Sequence, residues 1–217
     1  MRDNDFGKKF TRKIVSWGKN NRRSYPWRVD RDPFNVLVAE FFLQKTPAER
    51  VANFYSKFIS LHPNFDSVAQ IDSEEIEQIS KILGLKSRVL RLIETSKIIS
   101  KKFGNNVPNT YDCLIQLPGI GEYTASAILC FCYRKPVPLI DSNVIRVLTR
   151  YFNFPQSINA KDKKLKHVAK ILLPCKRSLE YNEAILDFAA LICKPRPLCS
   201  VCTLKKECNF FKLLKNR

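Results

Sequence analysis

Leu117-Pro118-Gly119-Ile120-Gly121, followed at once by Glu122-Tyr123-Thr124-Ala125, is the stretch on which the reading of the fold turns. Two glycines two apart permit a tight turn whose backbone N–H groups can come close to a phosphate. A helix beginning near Glu122 would present its positive dipole end at the same place. Apolar helical segments lie on either side, at about residues 110–116 and 122–133, so the whole reads as helix, hairpin turn and helix. Such a device grips a nucleic-acid backbone without reading its sequence. A lone G-x-G often serves turn geometry only, and the setting is what gives this one weight.

That setting is strongly basic. The 217 residues include 38 Lys+Arg against 20 Asp+Glu, for a net charge of +18 and a pI near 9.7. Such a field favours a polyanion as partner, nucleic acid first, with a merely basic protein as the plain alternative. The length suits one large or two modest domains. The opening MRDNDFGKKFTRK lacks the apolar stretch of a secretory signal, and the longest apolar run, at about residues 125–133, is too short to span a bilayer. The expectation is an intracellular protein of the cytoplasm or nucleoid, with no membrane partner. His62 and His167 have no motif around them, which disfavours a histidine-rich metallohydrolase.

Outward from the hairpin, no stretch alternates at period two and only six glycines interrupt a succession of amphipathic segments, so the fold class is all-α. At Thr46 the text TPAER supplies a Thr cap, a Pro at the first helical position and a Glu at the third. Val51, Phe54, Tyr55 and Phe58 follow at helical spacing. Asp72 and Glu75 form a second capping-box signature, ahead of a helix with Ile76, Ile79 and Ile82 that Gly84 ends. Further helices are predicted at about residues 86–103, 143–152, 161–173 and 179–192.

Of eight cysteines, four crowd together near the end as Cys193, Cys199, Cys202 and Cys208, spaced C-x5-C-x2-C-x5-C with Lys194, Pro195, Arg196 and Pro197 inside the first gap. In a reducing compartment this spacing suits metal ligands better than disulfides. Four thiolates can hold a tetrahedral zinc or a cubane iron–sulfur cluster, and spacing alone does not choose. A single C-x2-C between long gaps differs from the paired knuckles of zinc ribbons, so the cluster leads and zinc is the runner-up. Cys113, Cys130, Cys132 and Cys175 are scattered and read as small buried apolar residues.

Two carboxylates stand in costly or telling places. Glu40 interrupts the apolar run from Phe34 to Leu43. Burial there should raise its pKa and suit it to general acid–base work, unless it faces solvent. Gln44 lies one turn further along the same face. Asp141 directly precedes an amphipathic segment in Asp141-Ser142-Asn143-Val144-Ile145-Arg146, where capping is the default role and does not exclude chemistry.

Taken in order, Pro26-Trp27-Arg28, Ala39-Glu40 with Leu43-Gln44-Lys45-Thr46, the hairpin, Asp141 to Arg146, Tyr181-Asn182-Glu183 and the four cysteines resemble the endonuclease III and MutY branch of the helix-hairpin-helix DNA glycosylases over nearly the whole chain. The resemblance implies a two-lobed fold, one lobe from residues 1–45 and 135–217 with a [4Fe-4S] loop, the other from residues 46–134 with the hairpin. It implies duplex DNA carrying a mismatched or damaged base as partner, a monomeric enzyme, and the base drawn out of the stack.

By the same resemblance Asp141 would be the catalytic aspartate that stabilises positive charge on the sugar, and Glu40 the acid or base that assists the leaving base. Gln44 and Lys45 would fill the gap left by the base, while Gly119, Gly121 and Asn143 would contact DNA. The cluster would be mainly structural, presenting Lys194, Arg196, Lys205 and Lys206 to phosphates. Family members that also nick the strand carry a lysine where this chain has Tyr123, and a phenol forms no Schiff base. Base removal without lyase activity is therefore expected, with Tyr123 lining the pocket or hydrogen-bonding near the sugar.

Tyrosine at this position occurs in both adenine-removing and G/T-mismatch enzymes. The chain ends soon after Cys208, where MutY-like enzymes continue into a further domain, and Glu183 stands where they usually have the Gln that contacts adenine. Thymine or uracil opposite guanine is the favoured target, with adenine, or DNA binding without chemistry, as alternatives. Glu183 is unusual for either reading, and the first cysteine gap is one residue shorter than the usual six.

Overall fold

The computed structural model describes residues 2–215 and, from residue 5 onward, their side chains. In chain order the first helices are α1 (Arg2–Asn21), α2 (Pro26–Val29), α3 (Pro33–Leu43), α4 (Ala48–Leu61), α5 (Phe65–Ala69), α6 (Ser73–Leu83) and α7 (Lys86–Phe103). There follow α8 (Tyr111–Ile115), α9 (Glu122–Phe131), α10 (Ser142–Phe152), α11 (Lys163–Leu172), α12 (Ser178–Leu191) and α13 (Asn209–Lys215). No strand occurs among the described residues, so the all-α reading stands. No described helix is long and apolar enough to cross a membrane.

The chain divides into two compact units, Ser24–Tyr133 and a second made of the residues up to Arg23 with those from Arg134 onward. The first crossing therefore falls at residues 23/24 and not at 45/46. The cause is α3, whose residues Val36, Leu37, Val38, Ala39, Phe41 and Phe42 are all buried among α4, α7 and α9. A helix apolar on every side needs neighbours all round, and α3 finds them within the middle unit.

Most helix starts in that unit follow local sequence. The Asp32 carboxylate accepts from the N–H groups of Phe34 and Asn35 to open α3, and Asn64 and Ser67 cap α5 reciprocally. Gly84 ends α6 in the left-handed region at φ 90°. Two expectations need correction. Thr46 does not cap α4: Pro47 holds the cap position without a side-chain bond, and the Thr46 hydroxyl donates to Leu83 O at 2.9 Å. The Asp72 box is half formed, because Asp72 accepts from Glu75 N–H at 2.8 Å but the Glu75 carboxylate meets His62 Nε2 at 2.7 Å. In both cases a tertiary partner outcompetes the local one.

The other unit is built on α1 against α12, which approach so closely that a Cβ on Gly18 would stand 2.4 Å from Ala184 Cβ. Phe10, Ile14, Leu148, Tyr151, Leu165 and Phe188 form the centre of its core. Asp162 caps α11 by accepting from Lys164 and Leu165 N–H groups, and Asn153 closes α10 at φ 61°. Of the scattered cysteines Cys130 is buried, Cys113 and Cys132 are partly so, and Cys175 is exposed, contrary to the expectation of burial for all four.

Candidate active site and nucleic-acid interface

In the unit Ser24–Tyr133 the hairpin turn is fastened by its carbonyls. Thr95 Oγ1 donates to Pro118 O at 2.7 Å and Gln44 Nε2 to Gly119 O at 3.1 Å, while Ile120 N–H returns to Leu117 O. Gly119 has φ 80°, and a Cβ on it would stand 2.7 Å from the ring edge of fully buried Phe41. Gly121 is exposed at the cap position of α9, supplies no capping side chain, and has no heavy atom within 4 Å of where a Cβ would be. The first glycine is thus needed by the turn. The second leaves the N-terminal end of α9 open to close approach, as an anion site requires.

Glu40 is 5% exposed within α3, which removes the reading of a solvent-facing residue. Gln44 follows at the end of the same helix, bonded to the hairpin. Lys45 next to it is exposed, with φ 58°, a left-handed conformation uncommon for a residue with a side chain. Tyr123 is half-buried in the first turn of α9.

Sequence reasoning passed over Arg88, 3% exposed in the first turn of α7. Its Nη1 donates to Phe42 O at 2.9 Å, to Gln44 O, and to Thr46 Oγ1 at 2.9 Å, while Nη2 donates to Leu83 O. The signal was present: Arg88 falls on the stripe Leu92, Thr95 and Ile99 that α7 buries, so a charge occupies a core position.

The other unit holds Asp141, Asn143, Glu183 and the four cysteines. Asp141 caps α10, its Oδ1 accepting from Val144 N–H at 2.7 Å and its Oδ2 from Asn143 Nδ2 at 2.7 Å. Asn143 Oδ1 in turn accepts from Arg146 Nη1 at 3.0 Å, and Arg146 Nε donates to Cys193 O at 2.8 Å. The segment before Asp141 is fixed by Asn182, fully buried, which accepts from Leu139 N–H and donates to Val137 O at 2.9 Å. Glu183 is fully buried on α12 with Arg22 at 3.3 Å, one turn from Asp187, which is paired with Arg23 at 2.7 Å. Asn182 was quoted from the sequence without a role, and Arg22, Arg23 and Asp187 were not singled out.

The four cysteines are partly buried in the loop that α10 braces. Arg150 donates to Lys194 O at 2.6 Å and Pro195 O at 2.8 Å, and approaches Cys193 Sγ at 3.5 Å. Burial pushes the Cys202 thiol up to about 11, and its cysteine neighbours push the same way. Among the described residues no three Cys, His, Asp or Glu side chains converge as a single metal ion needs. The thiols are nonetheless close enough to raise one another's pKa, with Arg150 beside them. By their chemistry, four thiols gathered in one loop are donors for either an iron–sulfur cluster or a zinc ion.

The hairpin and the capping aspartate belong to a known class of protein, which comparison with known sequences assigns. The pattern of HhH-GPD superfamily base excision DNA repair proteins matches residues 38–175, and the chain belongs to that superfamily. It is similar to the thymine/uracil-DNA glycosylase of Methanothermobacter thermautotrophicus, 32% identical over 94% of each chain. It is also 34% identical to the adenine DNA glycosylase of Buchnera aphidicola subsp. Baizongia pistaciae, of whose length it covers 58%. A solved thermostable thymine-DNA glycosylase superposes with a TM-score of 0.93 at 31% identity, covering 98% of this chain and 100% of that one. An endonuclease III in a non-covalent DNA complex shares the fold, with a TM-score of 0.85 at 19% identity.

Proposed function

We propose that the protein is a monofunctional DNA glycosylase of base excision repair that hydrolyses the N-glycosidic bond of thymine or uracil mispaired with guanine, acting inside the cell as a monomer on duplex DNA. The similarity to a thymine/uracil-DNA glycosylase over 94% of both chains carries this reading. The target base leaves the stack, Gln44 and Lys45 fill the gap, and the N-terminal end of α9 with Gly119 and Gly121 holds a phosphate. As the bond from the sugar C1′ to the base nitrogen lengthens, positive charge grows on the sugar and Asp141 stabilises it. Asp141 is suited to this because Asn143 and the helix cap fix both of its oxygens. Glu40 gives a proton to the departing base, and water adds to C1′ as its own proton passes back to the Glu40 carboxylate. Tyr123, having no amine, lines the pocket and leaves the strand intact.

Glu183 is assigned to base contact by the resemblance alone; its carboxylate is fully buried, with Arg22 at 3.3 Å. Cys193, Cys199, Cys202 and Cys208 would hold a [4Fe-4S] cluster whose part is structural, keeping the loop with Lys194 and Arg196 in shape for phosphate contact. The resemblance to adenine DNA glycosylases supports a second reading, removal of adenine opposite guanine or 8-oxoguanine.

Single-turnover cleavage of end-labelled duplexes containing G:T, G:U, A:G and A opposite 8-oxoguanine, with and without hot alkali, tests both. Breaks that appear only after alkali, fastest for G:T or G:U, are expected. Faster adenine release selects the second reading, breaks without alkali refute the absence of lyase activity, and no product from cluster-loaded protein refutes the chemistry.

A further inference from the structure

The Arg88 guanidinium is buried without a carboxylate among its hydrogen-bond acceptors, an arrangement that is expensive unless neutral dipoles replace the counter-ion. The acceptors here supply that replacement. Phe42 O and Gln44 O lie at the C-terminal end of α3, and Leu83 O is the last carbonyl of α6. Two helix ends, each carrying partial negative charge, converge on one cation. Between them lies the Gln44–Lys45–Thr46 turn, with Lys45 in the left-handed region and Gln44 bonded to the hairpin at Gly119. Locally the turn is closed only by a long bond from Thr46 N–H to Leu43 O at 3.4 Å, and Thr46 caps no helix. The planar fork of arginine spans both helix ends, whereas an ammonium is a point charge.

We infer that Arg88 is a positioning residue for base extrusion: by binding the C-terminal ends of α3 and α6 together it sets the Gln44–Lys45 turn, and through Gln44 the hairpin, in the form that replaces the target base in the duplex. The inference rests on the proposed function for the role of that turn, while the clamp itself is geometry. Its effect should therefore depend on how costly it is to take the base from the stack.

Arg88→Lys keeps a cation at the two helix ends but cannot span them, and Thr46→Val removes one acceptor and leaves the arginine. Both are compared with the unaltered protein by single-turnover cleavage of a G:T duplex and of the same thymine opposite an abasic site, where there is no pairing to break. The second readout is the fluorescence of 2-aminopurine beside the target base at saturating protein, which reports unstacking without cleavage. Arg88→Lys is expected to slow the G:T duplex about tenfold or more and the abasic duplex by less than about threefold, with the probe dimmer than with the unaltered protein. Thr46→Val should shift in the same direction by less.

Equal slowing of both duplexes, or none, overturns the inference and leaves Arg88 a structural residue. If the unaltered protein cleaves nothing, the proposed chemistry fails and the fluorescence decides for Arg88 alone. A probe that brightens with the unaltered protein and stays dark with Arg88→Lys supports the clamp. Equal brightness, or no brightening at all, overturns it.

Discussion

The two hairpin glycines should fail in opposite ways when each is replaced by alanine. At Gly119 the backbone sits at φ 80°, where a side chain costs about 1–2 kcal/mol. The new methyl would also stand 2.7 Å from one ring atom of Phe41, 3.2 Å from another and 3.1 Å from Arg91 Cβ. Phe41 is fully buried and cannot turn aside, so overpacking adds roughly 1–3 kcal/mol. Gly119→Ala should therefore lose about 2–5 kcal/mol, which for a chain of this size is a fall in Tm of about 4–20 °C. At Gly121 the added methyl meets nothing within 4 Å, and only the poorer capping of alanine, about 0.5–1 kcal/mol, is at stake. That methyl instead occupies the approach to the N-terminal end of α9. Losing one charge-assisted phosphate bond there should weaken binding about tenfold or more. Thermal melting followed by circular dichroism, with fluorescence anisotropy on an undamaged labelled duplex, separates the two effects. A Gly121→Ala protein that binds DNA like the unaltered one would refute the assignment of this turn as the phosphate grip.

Asp141→Asn keeps a capping side chain and should melt within about 0.5 kcal/mol of the unaltered protein, yet lose about a hundredfold or more in single-turnover rate while still binding DNA. Asp141→Ala should lose about 1 kcal/mol of stability as well, and equal turnover in either variant removes the aspartate from the chemistry. Asp187→Ala removes the buried carboxylate that accepts from both Nε and the backbone N–H of Arg23, and should cost about 1–3 kcal/mol by chemical denaturation. Cys202→Ser should strip the visible absorbance and most of the iron from protein purified without oxygen; a colourless, zinc-loaded unaltered protein would reject the cluster. Tyr123→Lys places an amine in the first turn of α9, and borohydride trapping of a covalent DNA adduct is the expected gain; a variant that never traps shows that the amine alone does not confer lyase chemistry.

The Asp141 cap, the Gly84 stop and the breadth of the apolar face on α3 were legible because each signal acts within a turn or two of its own helix. The predicted spans at 86–103, 143–152 and 179–192 agree with α7, α10 and α12 to within a residue or so for the same reason. The hairpin was legible too, although the sequence could not distinguish its glycines: one is demanded by Phe41, 78 residues away, and the other by nothing inside the protein.

The all-α class, the membership signalled by an ordered set of motifs, and the inventory of groups that chemistry could use are all written in the chain. The tertiary structure decided which partner each polar group takes. It turned Thr46 from a cap into a ligand of Arg88 and drew Glu75 to His62. It also set Glu183 and Asp187 against two arginines of the segment that follows α1, and put α3 into the middle unit instead of the first. The physical reason is common to all of these. A polar group sheltered from water goes to the partner that saves it most desolvation, and that partner is chosen by packing between distant segments, which no local pattern records.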